Sequence, residues 1–302
     1  MTYHSPPFLR PGDTIGIIST ARKLTPKEIE PAIEVIEAWG FNIKKGPHLH
    51  KEYHQFSGTD QERAADMQMM LEDPTVKAIY CARGGYGSVR IIDHVRWEVL
   101  NEHPKWILGY SDVTALHNHL HTNLGIRSIH APMPLGFAEN TRACLEDVRS
   151  TLVGELKTIM ADRHSFNREG KAVGALTGGN ISVLYSQRGT PADIDVRGKI
   201  LFIEDLDEYL YHIDRMMMNF SRAGWFDVIA GLIVGGLTDM NDNTVPFGKQ
   251  AIEIVREHVS GRPFPVAFGF PAGHVEDNRP LIFGAEVELN VTSGGSFVTY
   301  SA

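Results

Sequence analysis

The sequence predicts a two-domain protein of the α/β class. Its 302 residues are enough for two domains that each bury a core. Through the first half, short apolar runs alternate with segments that carry apolar residues at helical spacing, which is typical of a mostly parallel sheet with flanking helices. A polar, irregular stretch near the middle indicates a connection between domains. We therefore predict an N-terminal domain over 1–140, a connection over 141–170 and a C-terminal domain over 171–302.

The composition narrows the class of partner. Hydrophobic residues make up 42% of the chain and charged residues 22%, as in globular proteins. The formal net charge is −8 and no run is rich in lysine or arginine, so we expect a small molecule or peptide as partner and no nucleic acid. The first residues lack an apolar targeting segment, and no run approaches the roughly 18 apolar residues of a membrane span. We therefore expect a cytoplasmic protein without a membrane partner.

The first domain opens with a strand and a helix. Residues 14–19 form an apolar run of β type, and residues 29–39 form an amphipathic helix. Residues 59–71 follow as a second helix. The repetition of this unit predicts a flavodoxin- or Rossmann-like sheet in the first domain. The second domain is predicted to be α/β with a β-rich end, because the residues after Phe283 are typical of short strands.

A glycine-rich turn follows the next apolar run, in the string VKAIYCARGGYGSVRIIDHV. Gly84, Gly85 and Gly87 allow positive φ and a close approach of backbone to ligand, and the helix predicted after them adds positive potential. The turn therefore has the form of a cradle for an anion or an oxyanion. It lacks the spacing of a phosphate-binding loop. A tight turn between strand and helix explains it equally well.

Ser111 lies at a predicted corner between a strand and a helix. Residues 106–108 are a buried apolar run, and residues 112–124 carry apolar side chains at helical spacing. Such a corner can lift a hydroxyl to the carboxyl end of a strand, beside free N–H groups of the helix. The stretch alone favours a simpler role for Ser111 as the N-cap of the helix. It also departs from the G-x-S-x-G elbow, because Val113 occupies the second glycine position.

The position of Ser111 relative to the glycine-rich turn supports the functional interpretation. In parallel sheets, ligands bind at the carboxyl ends of the strands, where both features are predicted to lie. His117 and His121 follow one helical turn apart, but Asn118 stands where a zinc peptidase would carry glutamate. We interpret the two histidines as surface or packing residues.

The second half supplies a carboxylate and a histidine. Glu204 directly follows the apolar run 200–203, where its carboxylate would be partly buried and would need a partner such as histidine. The acidic cluster that it begins, with Asp205, Asp207 and Glu208, is explained equally well as the solvated start of a helix. His274 lies in a loop rich in proline and glycine, which has a defined path.

Together, these residues give the order Ser, Glu, His, with each at the end of an apolar run. Nucleophilic catalysis needs a hydroxyl, an imidazole that takes its proton and a carboxylate that fixes the tautomer of the imidazole. The order alone is a weak signal.

Several ordered strings strengthen it: RPGDTIGIIS, ARGGYGS, GYSDVTALH, GGNISVL, LFIEDLDEYLYHIDR and FGFPAGH. They resemble the successive motifs of the bacterial L,D-carboxypeptidases, also called muramoyltetrapeptide carboxypeptidases. The resemblance implies a catalytic triad of Ser111, Glu204 and His274 in a two-domain cytosolic homodimer without metal or cofactor. It also implies release of terminal D-alanine from murein tetrapeptides. A related branch, the microcin C immunity peptidases that act on peptidyl-nucleotides, is the second candidate.

The expected mechanism places the oxyanion on the backbone N–H groups of Gly85 and Asp112. Arg83 is the candidate for binding the terminal carboxylate, with Gly84 and Tyr86 beside it in the substrate site. A surface ion pair explains Arg83 equally well. A third reading is a non-catalytic module that holds a small molecule on its glycine-rich turns.

Overall fold

The computed structural model describes residues 3–301. Its strands are β1 (Thr14–Ile18), β2 (Asn42–Lys45), β3 (Val76–Cys81), β4 (Trp106–Gly109), β5 (Ser128–His130), β6 (Thr158–Asp162), β7 (Gly170–Asn180), β8 (Ile200–Leu206), β9 (Gly231–Thr238), β10 (Val266–Phe268), β11 (Leu281–Phe283), β12 (Glu286–Thr292) and β13 (Gly295–Tyr300). Its α-helices are α1 (Pro26–Ala38), α2 (Asp60–Glu72), α3 (Val99–Glu102), α4 (Thr114–His119), α5 (Arg142–Leu152), α6 (Ile181–Ser186), α7 (Leu210–Arg222), α8 (Trp225–Val228) and α9 (Ala251–His258). None of the helices in this part of the chain has the length and apolar character that crossing a membrane requires.

The chain forms two compact units. The first runs up to Leu156 and takes in Glu276–Gly284, and the second comprises Lys157–Val275 and the chain from Ala285 onward. These bounds differ from the boundaries predicted from the sequence. The supposed connection over 141–170 holds helix α5, which belongs to the first unit, and strand β6, which belongs to the second. Helix α5 carries many polar residues, and this composition resembles that of a linker.

The sheet of the first unit has the order β11-β5-β4-β3-β1-β2. Its strands pair in parallel except β11, which runs antiparallel to β5. The predicted mostly parallel sheet is therefore confirmed, and β2-β1-β3-β4-β5 is the strand order of flavodoxin-like folds. In this order the chain builds outward from β1 to β2 on one side and from β3 to β5 on the other. A crevice at the carboxyl ends of β1 and β3 follows from that reversal.

Local sequence explains the elements of this unit. The residues of β4 are all buried, as expected for a parallel strand covered on both faces. Helix α1 follows the N-cap residue Thr25, whose backbone N–H and hydroxyl both donate to Oε2 of Glu28, and it buries Ile29, Ala32 and Ile36.

The second unit has a sheet in the order β10-β9-β8-β7-β12-β13-β6. Strands β7 to β10 pair in parallel, whereas β12, β13 and β6 form an antiparallel end. This arrangement confirms the α/β domain with a β-rich end. Helices α6, α7 and α9 bury one apolar cluster, in which the rings of Phe220 and Trp225 stack with centroids 4.3 Å apart. The parallel half therefore carries the carboxyl strand ends at which ligand-binding residues are expected.

Candidate active site

The first candidate region is the corner at Ser111, which lies within the first unit. Strand β4 ends at Gly109, and Ser111 then adopts a φ of +60° before a short 3₁₀ turn, Ser111–Val113, leads into α4. A non-glycine residue in the left-handed region costs about 1–3 kcal/mol and persists only where the surrounding contacts hold it. The backbone strain therefore indicates that the position of Ser111 is set by the surrounding structure, as is typical of residues at functional sites.

The capping role that the stretch alone favours for Ser111 is wrong. Neither the 3₁₀ turn nor α4 begins with a capping hydrogen bond from a side chain. Asp112 is also not a cap, because its Oδ2 accepts from the backbone N–H of Ser88 at 2.7 Å, across the unit. The side chain of Ser111 is thus not used to terminate the helix.

The glycine that precedes Ser111 is required by the tight corner. Gly109 has a φ of +156°, and a Cβ placed on it would lie 2.8 Å from Cγ2 of Val113. The corner therefore packs Val113 directly against Gly109. This contact shows how a strained corner is built here although the second glycine of the G-x-S-x-G elbow is missing.

The glycine-rich turn after β3 lies against this corner. A Cβ on Gly84 would be 3.5 Å from Cβ of Ser111 and 3.6 Å from Cβ of Asp112. Gly85, the next residue, is exposed and has a φ of +106°. The first unit therefore brings together four of the predicted site residues. The element after the turn is a 3₁₀ helix, Ser88–His94, rather than the α-helix predicted from the sequence.

A buried polar network locks the turn to the corner. The carboxylate of Asp112 accepts hydrogen bonds from the backbone of Ser88 and Gly87 and from the hydroxyl of Ser88. The Ser88 hydroxyl also pairs with Oγ1 of Thr20 at 2.7 Å, and Nη1 of the buried Arg63 donates to the carbonyl of Gly87 at 3.0 Å. Burial raises the pKa of Asp112, and these hydrogen bonds and the charge of Arg63 oppose that rise.

His117 supports the same corner from behind. Its Nε2 lies 2.9 Å from the carbonyl oxygen of Gly109, and its Nδ1 lies 2.8 Å from Oγ of Ser128. Burial lowers the pKa of His117 to about 4, so the ring stays neutral at physiological pH. His117 and His121 are both buried, so the packing interpretation is right for them and a surface location is wrong.

The other predicted substrate residues lie on the same turn. Nη1 of Arg83 donates to the carbonyl oxygen of Lys23 at 2.7 Å, and the side chain is half-buried. Tyr86 is 46% exposed, with its ring centroid 6.2 Å from that of Phe56. Arg83 thus already has one backbone partner, whereas Tyr86 presents an aromatic surface to solvent.

The second candidate region, within the second unit, is the pair Glu204 and His274. Nδ1 of His274 lies 2.6 Å from Oε2 of Glu204, and the carboxylate is completely buried. Because an ionised carboxylate can only accept, Nδ1 carries the hydrogen, and in the neutral ring the lone pair is on Nε2. The other oxygen of Glu204, Oε1, has no hydrogen-bond partner among the described residues. His274 is therefore a direct hydrogen-bond partner of the buried carboxylate of Glu204.

A bulge and a glycine place these two side chains. The pairing of β8 with β9 shifts register between Ile203 and Asp205, so Glu204 sits at an irregularity that can re-aim a side chain. Gly273 has a φ of +97°, and a Cβ on it would lie 2.7 Å from Cβ of Glu204. The loop that carries His274 can therefore cross Glu204 only because residue 273 is glycine.

The charges around His274 favour its protonated form. Burial alone would lower the pKa of His274, but the charge and hydrogen bond of Glu204, with smaller contributions from Asp205 and Asp239, raise it above the ordinary value. Asp205 is also buried, and burial followed by the charge of Glu204 raises its pKa to about 7. The solvated-helix explanation of the acidic cluster is therefore wrong for Glu204 and Asp205, which lie inside β8.

Metal ligands are not grouped in the described part of the chain, where no three His, Cys, Asp or Glu side chains are placed to hold an ion together. Asp205 has protein partners: it accepts from Nδ2 of Asn180 at 2.8 Å and from the backbone N–H of Ser182 at 2.9 Å. These bonds anchor the start of α6 to the strand that carries Glu204.

Two family models match the chain. The LD-carboxypeptidase N-terminal domain matches residues 15–131, and the LD-carboxypeptidase C-terminal domain matches residues 173–289. The chain belongs to the LD-carboxypeptidase family. The resemblance noted in the sequence motifs is therefore confirmed, and with it the assignment to the serine hydrolases.

Relatives of this LD-carboxypeptidase agree with the match. It is 34% identical over 301 residues to a probable murein peptide carboxypeptidase of Bacillus subtilis, covering 95% of this chain and 92% of that protein. It resembles the crystal structure of muramoyltetrapeptide carboxypeptidase from Oxalobacter formigenes with a TM-score of 0.87 and 24% identity, over 96% of this chain and 99% of that one. The microcin C7 self immunity protein MccF in complex with aspartyl sulfamoyl adenosine gives a TM-score of 0.85 and 22% identity, over 97% and 98% of the chains. The two structural likenesses show a shared fold.

Sequence reasoning missed two supporting groups of this LD-carboxypeptidase. Ser88 ends the glycine-rich motif, so its place in that string was an available signal. Arg63 gave no such signal, because α2 is rich in charged residues and nothing in the sequence distinguishes Arg63 from the others. A buried arginine in such a helix is visible only once the tertiary structure is known.

Proposed function

We propose that this enzyme is a murein peptide carboxypeptidase that releases terminal D-alanine from tetrapeptides through a triad of Ser111, His274 and Glu204. The observation that carries the proposal is the buried hydrogen bond between Nδ1 of His274 and Oε2 of Glu204, 2.6 Å long. A carboxylate in this position fixes the tautomer that a general base needs and stabilises the imidazolium that forms. The murein substrate is supported by the name of the Bacillus subtilis relative.

In the proposed reaction, Oγ of Ser111 attacks the carbonyl carbon of the bond between the diamino acid and D-alanine. His274 takes the proton at Nε2 and gives it to the amine of the departing D-alanine. Water then attacks the acyl-enzyme, again with His274 as the base, and releases the shortened peptide. Glu204 keeps its charge throughout and compensates the imidazolium.

The backbone N–H groups of Gly85 and Asp112 are proposed to hold the tetrahedral oxyanion. Asp112 is the second residue of the 3₁₀ turn, and the first N–H groups of a helical turn have no partner within it. Gly84 packs against Ser111, which brings the glycine-rich turn to the nucleophile. One oxyanion donor contributes about 10²–10³ to the rate, so the turn is a substantial part of the catalytic machinery.

The family resemblance also leads us to expect a cytoplasmic homodimer that works without a cofactor. Sedimentation equilibrium of the purified protein tests the dimer, and cell fractionation tests the location. A monomer at micromolar concentration would contradict the first expectation without affecting the triad.

The experiment that tests the function is mass spectrometry of the purified protein incubated with L-Ala-D-Glu-meso-diaminopimelate-D-Ala. The wild type should release one D-alanine, and Ser111→Ala should release none above background. Ser260→Ala, which alters an exposed serine beyond α9, is the matched control and should behave as the wild type. The same peptide ending in L-alanine should resist cleavage.

Other results would replace the proposal. Hydrolysis of a peptidyl-nucleotide without cleavage of the tetrapeptide would point to an immunity-type peptidase. Inertness toward both compounds, together with tight binding of a small ligand, would favour the non-catalytic module. Full activity of Ser111→Ala would refute the assignment of the nucleophile.

A further inference from the structure

Arg22 lies across the glycine-rich turn of the first unit. A Cβ placed on Gly85 would be 2.6 Å from Cδ of Arg22 and 2.8 Å from its Nε. The stem of Arg22 therefore lies over the open face of Gly85, and a side chain at position 85 would displace it from there. The guanidinium is exposed and forms no hydrogen bond or ion pair with another residue in 3–301. The Arg22 guanidinium is therefore available beside the turn to bind an anionic group of a ligand.

The backbone of Arg22 is held by hydrogen bonds, whereas its guanidinium is free to bind a ligand. Its N–H donates to the carbonyl of Gly84 at 3.4 Å, and its carbonyl accepts from Oγ of Ser19 at 2.8 Å. It also forms an antiparallel bridge with Phe56. These contacts tie the loop after β1 to the turn after β3. The backbone of Arg22 is therefore held beside the turn before any ligand arrives, so binding has to order only the side chain.

The topology independently points to the same place. Arg22 follows β1 and Gly85 follows β3, and these neighbouring strands flank the reversal in strand order of the first sheet. Ligands of open parallel sheets bind in the crevice at this reversal. Arg22 contributes a positive charge to that crevice. Gly85 has no side chain, so a ligand can approach its backbone closely.

We propose that Arg22 binds the terminal carboxylate of the substrate and so makes the enzyme an exopeptidase, an inference that rests on the proposed function. In a peptide cut before its last residue, the terminal carboxylate lies one residue from the scissile carbonyl, a span of at most about 3.6 Å. The side chain that binds the terminal carboxylate must therefore lie next to the N–H groups that bind the oxyanion. Arg22 meets this condition because its stem lies against Gly85. A guanidinium can also bind a carboxylate through two parallel hydrogen bonds.

Arg83, the residue predicted from the sequence for this role, is placed differently. One of its guanidinium nitrogens donates to the carbonyl of Lys23, the residue after Arg22. This bond steadies the loop that carries Arg22. Arg83 is therefore assigned a supporting position, and its substitution should act through Arg22.

The test compares the tetrapeptide with the same peptide ending in D-alaninamide, which lacks the terminal charge. The wild type should prefer the acid in kcat/KM by about 10- to 100-fold, the value of a hydrogen-bonded charge pair. Arg22→Gln keeps a stem over Gly85 but removes the charge, so it should lose this preference through a higher KM for the acid. Arg22→Lys should keep part of it, because an ammonium lacks the two-pronged geometry.

Arg90 provides the matched control. It follows the same turn, but its guanidinium is already paired with Asp60 through Nε at 3.0 Å and Nη2 at 2.6 Å. Arg90→Gln should leave the ratio of acid to amide unchanged. The amide rate of each variant serves as an internal measure of correctly folded enzyme.

Three results would overturn the inference or its basis. An unchanged ratio in Arg22→Gln, or an equal fall of both rates, would refute the role of Arg22. Loss of the ratio in Arg83→Gln but not in Arg22→Gln would transfer the role to Arg83. A wild type that cleaves neither peptide would instead refute the proposed function, and with it the inference.

Discussion

Gly273 offers a sharp test of how the second unit aligns its histidine. An added Cβ would lie 2.7 Å from Cβ of Glu204 and 2.8 Å from Oε2, the atom that accepts from His274. Carbon atoms in contact are ordinarily about 3.5–4.0 Å apart, so Gly273→Ala must push the loop and the carboxylate apart by about 0.8 Å. We expect this movement to break or lengthen the bond between His274 and Glu204.

The size of the effect follows from two separate costs. Alanine at the φ of +97° that Gly273 adopts should cost about 1–2 kcal/mol of folding free energy. The collision with Glu204 adds about 1–3 kcal/mol, which is typical of overpacking a tight site. A misplacement of about 1 Å in a catalytic group lowers rates by about 10²-fold, so kcat/KM should fall by about 10- to 100-fold in correctly folded enzyme.

Gly248 separates the two costs. It has a φ of +85° but no atom within 4 Å of an added Cβ, so Gly248→Ala carries the conformational cost without the collision. In thermal unfolding, Gly273→Ala should melt about 2–12 °C below Gly248→Ala. Turnover of the tetrapeptide by Gly248→Ala should match the wild type. Equal melting temperatures and equal kcat/KM in the two variants would refute the reasoning.

The remaining predictions concern charge. Because Glu204 holds the pKa of His274 above 6.5 and the base must be neutral to accept a proton, the acidic limb of the wild-type kcat/KM profile should lie above pH 6.5. Glu204→Gln keeps the burial but removes the charge, so this limb should move to lower pH while kcat falls by about 10³–10⁴-fold. A limb that does not move would exclude Glu204 as the cause. Asp112→Ala leaves the buried N–H of Ser88 without its acceptor, which should lower the free energy of unfolding by about 1–3 kcal/mol in urea, whereas Ser88→Ala keeps that N–H bond and should lower it less.

Patterns in the sequence located the corner of the first unit because its signals are local. An apolar run, a glycine and a helical spacing around Ser111 depend only on neighbouring residues. The positive φ of Ser111 could not be predicted, because serine rarely adopts it and long-range contacts around the corner, such as that of Asp112 with Ser88, are not visible in the sequence. The interpretation of Ser111 as a cap failed for the same reason.

Boundaries between the units were harder to predict because they depend on long-range pairing. The segment Glu276–Gly284 lies far along the chain, yet β11 joins the first sheet beside β5. Nothing in its composition separates it from the rest of the predicted C-terminal domain. Arg22 escaped notice for a similar reason, since an arginine after a strand is ordinary until its contact with Gly85 is known.

Backbone strain in both units is concentrated at the carboxyl ends of strands. Of the four non-glycine residues with positive φ in 3–301, three lie at carboxyl ends of strands: Ser111 after β4, Asp207 after β8 and Asp239 after β9. Asp207 is held by Asn241, whose Nδ2 donates to its carbonyl at 3.1 Å and to its Oδ1 at 2.8 Å. Strain of about 1–3 kcal/mol per residue survives only where such contacts over-determine the backbone. Glu204 also lies on β8. The hydrogen bonds of Asn241 to Asp207 therefore fix the backbone at the carboxyl end of the strand that positions this carboxylate next to His274.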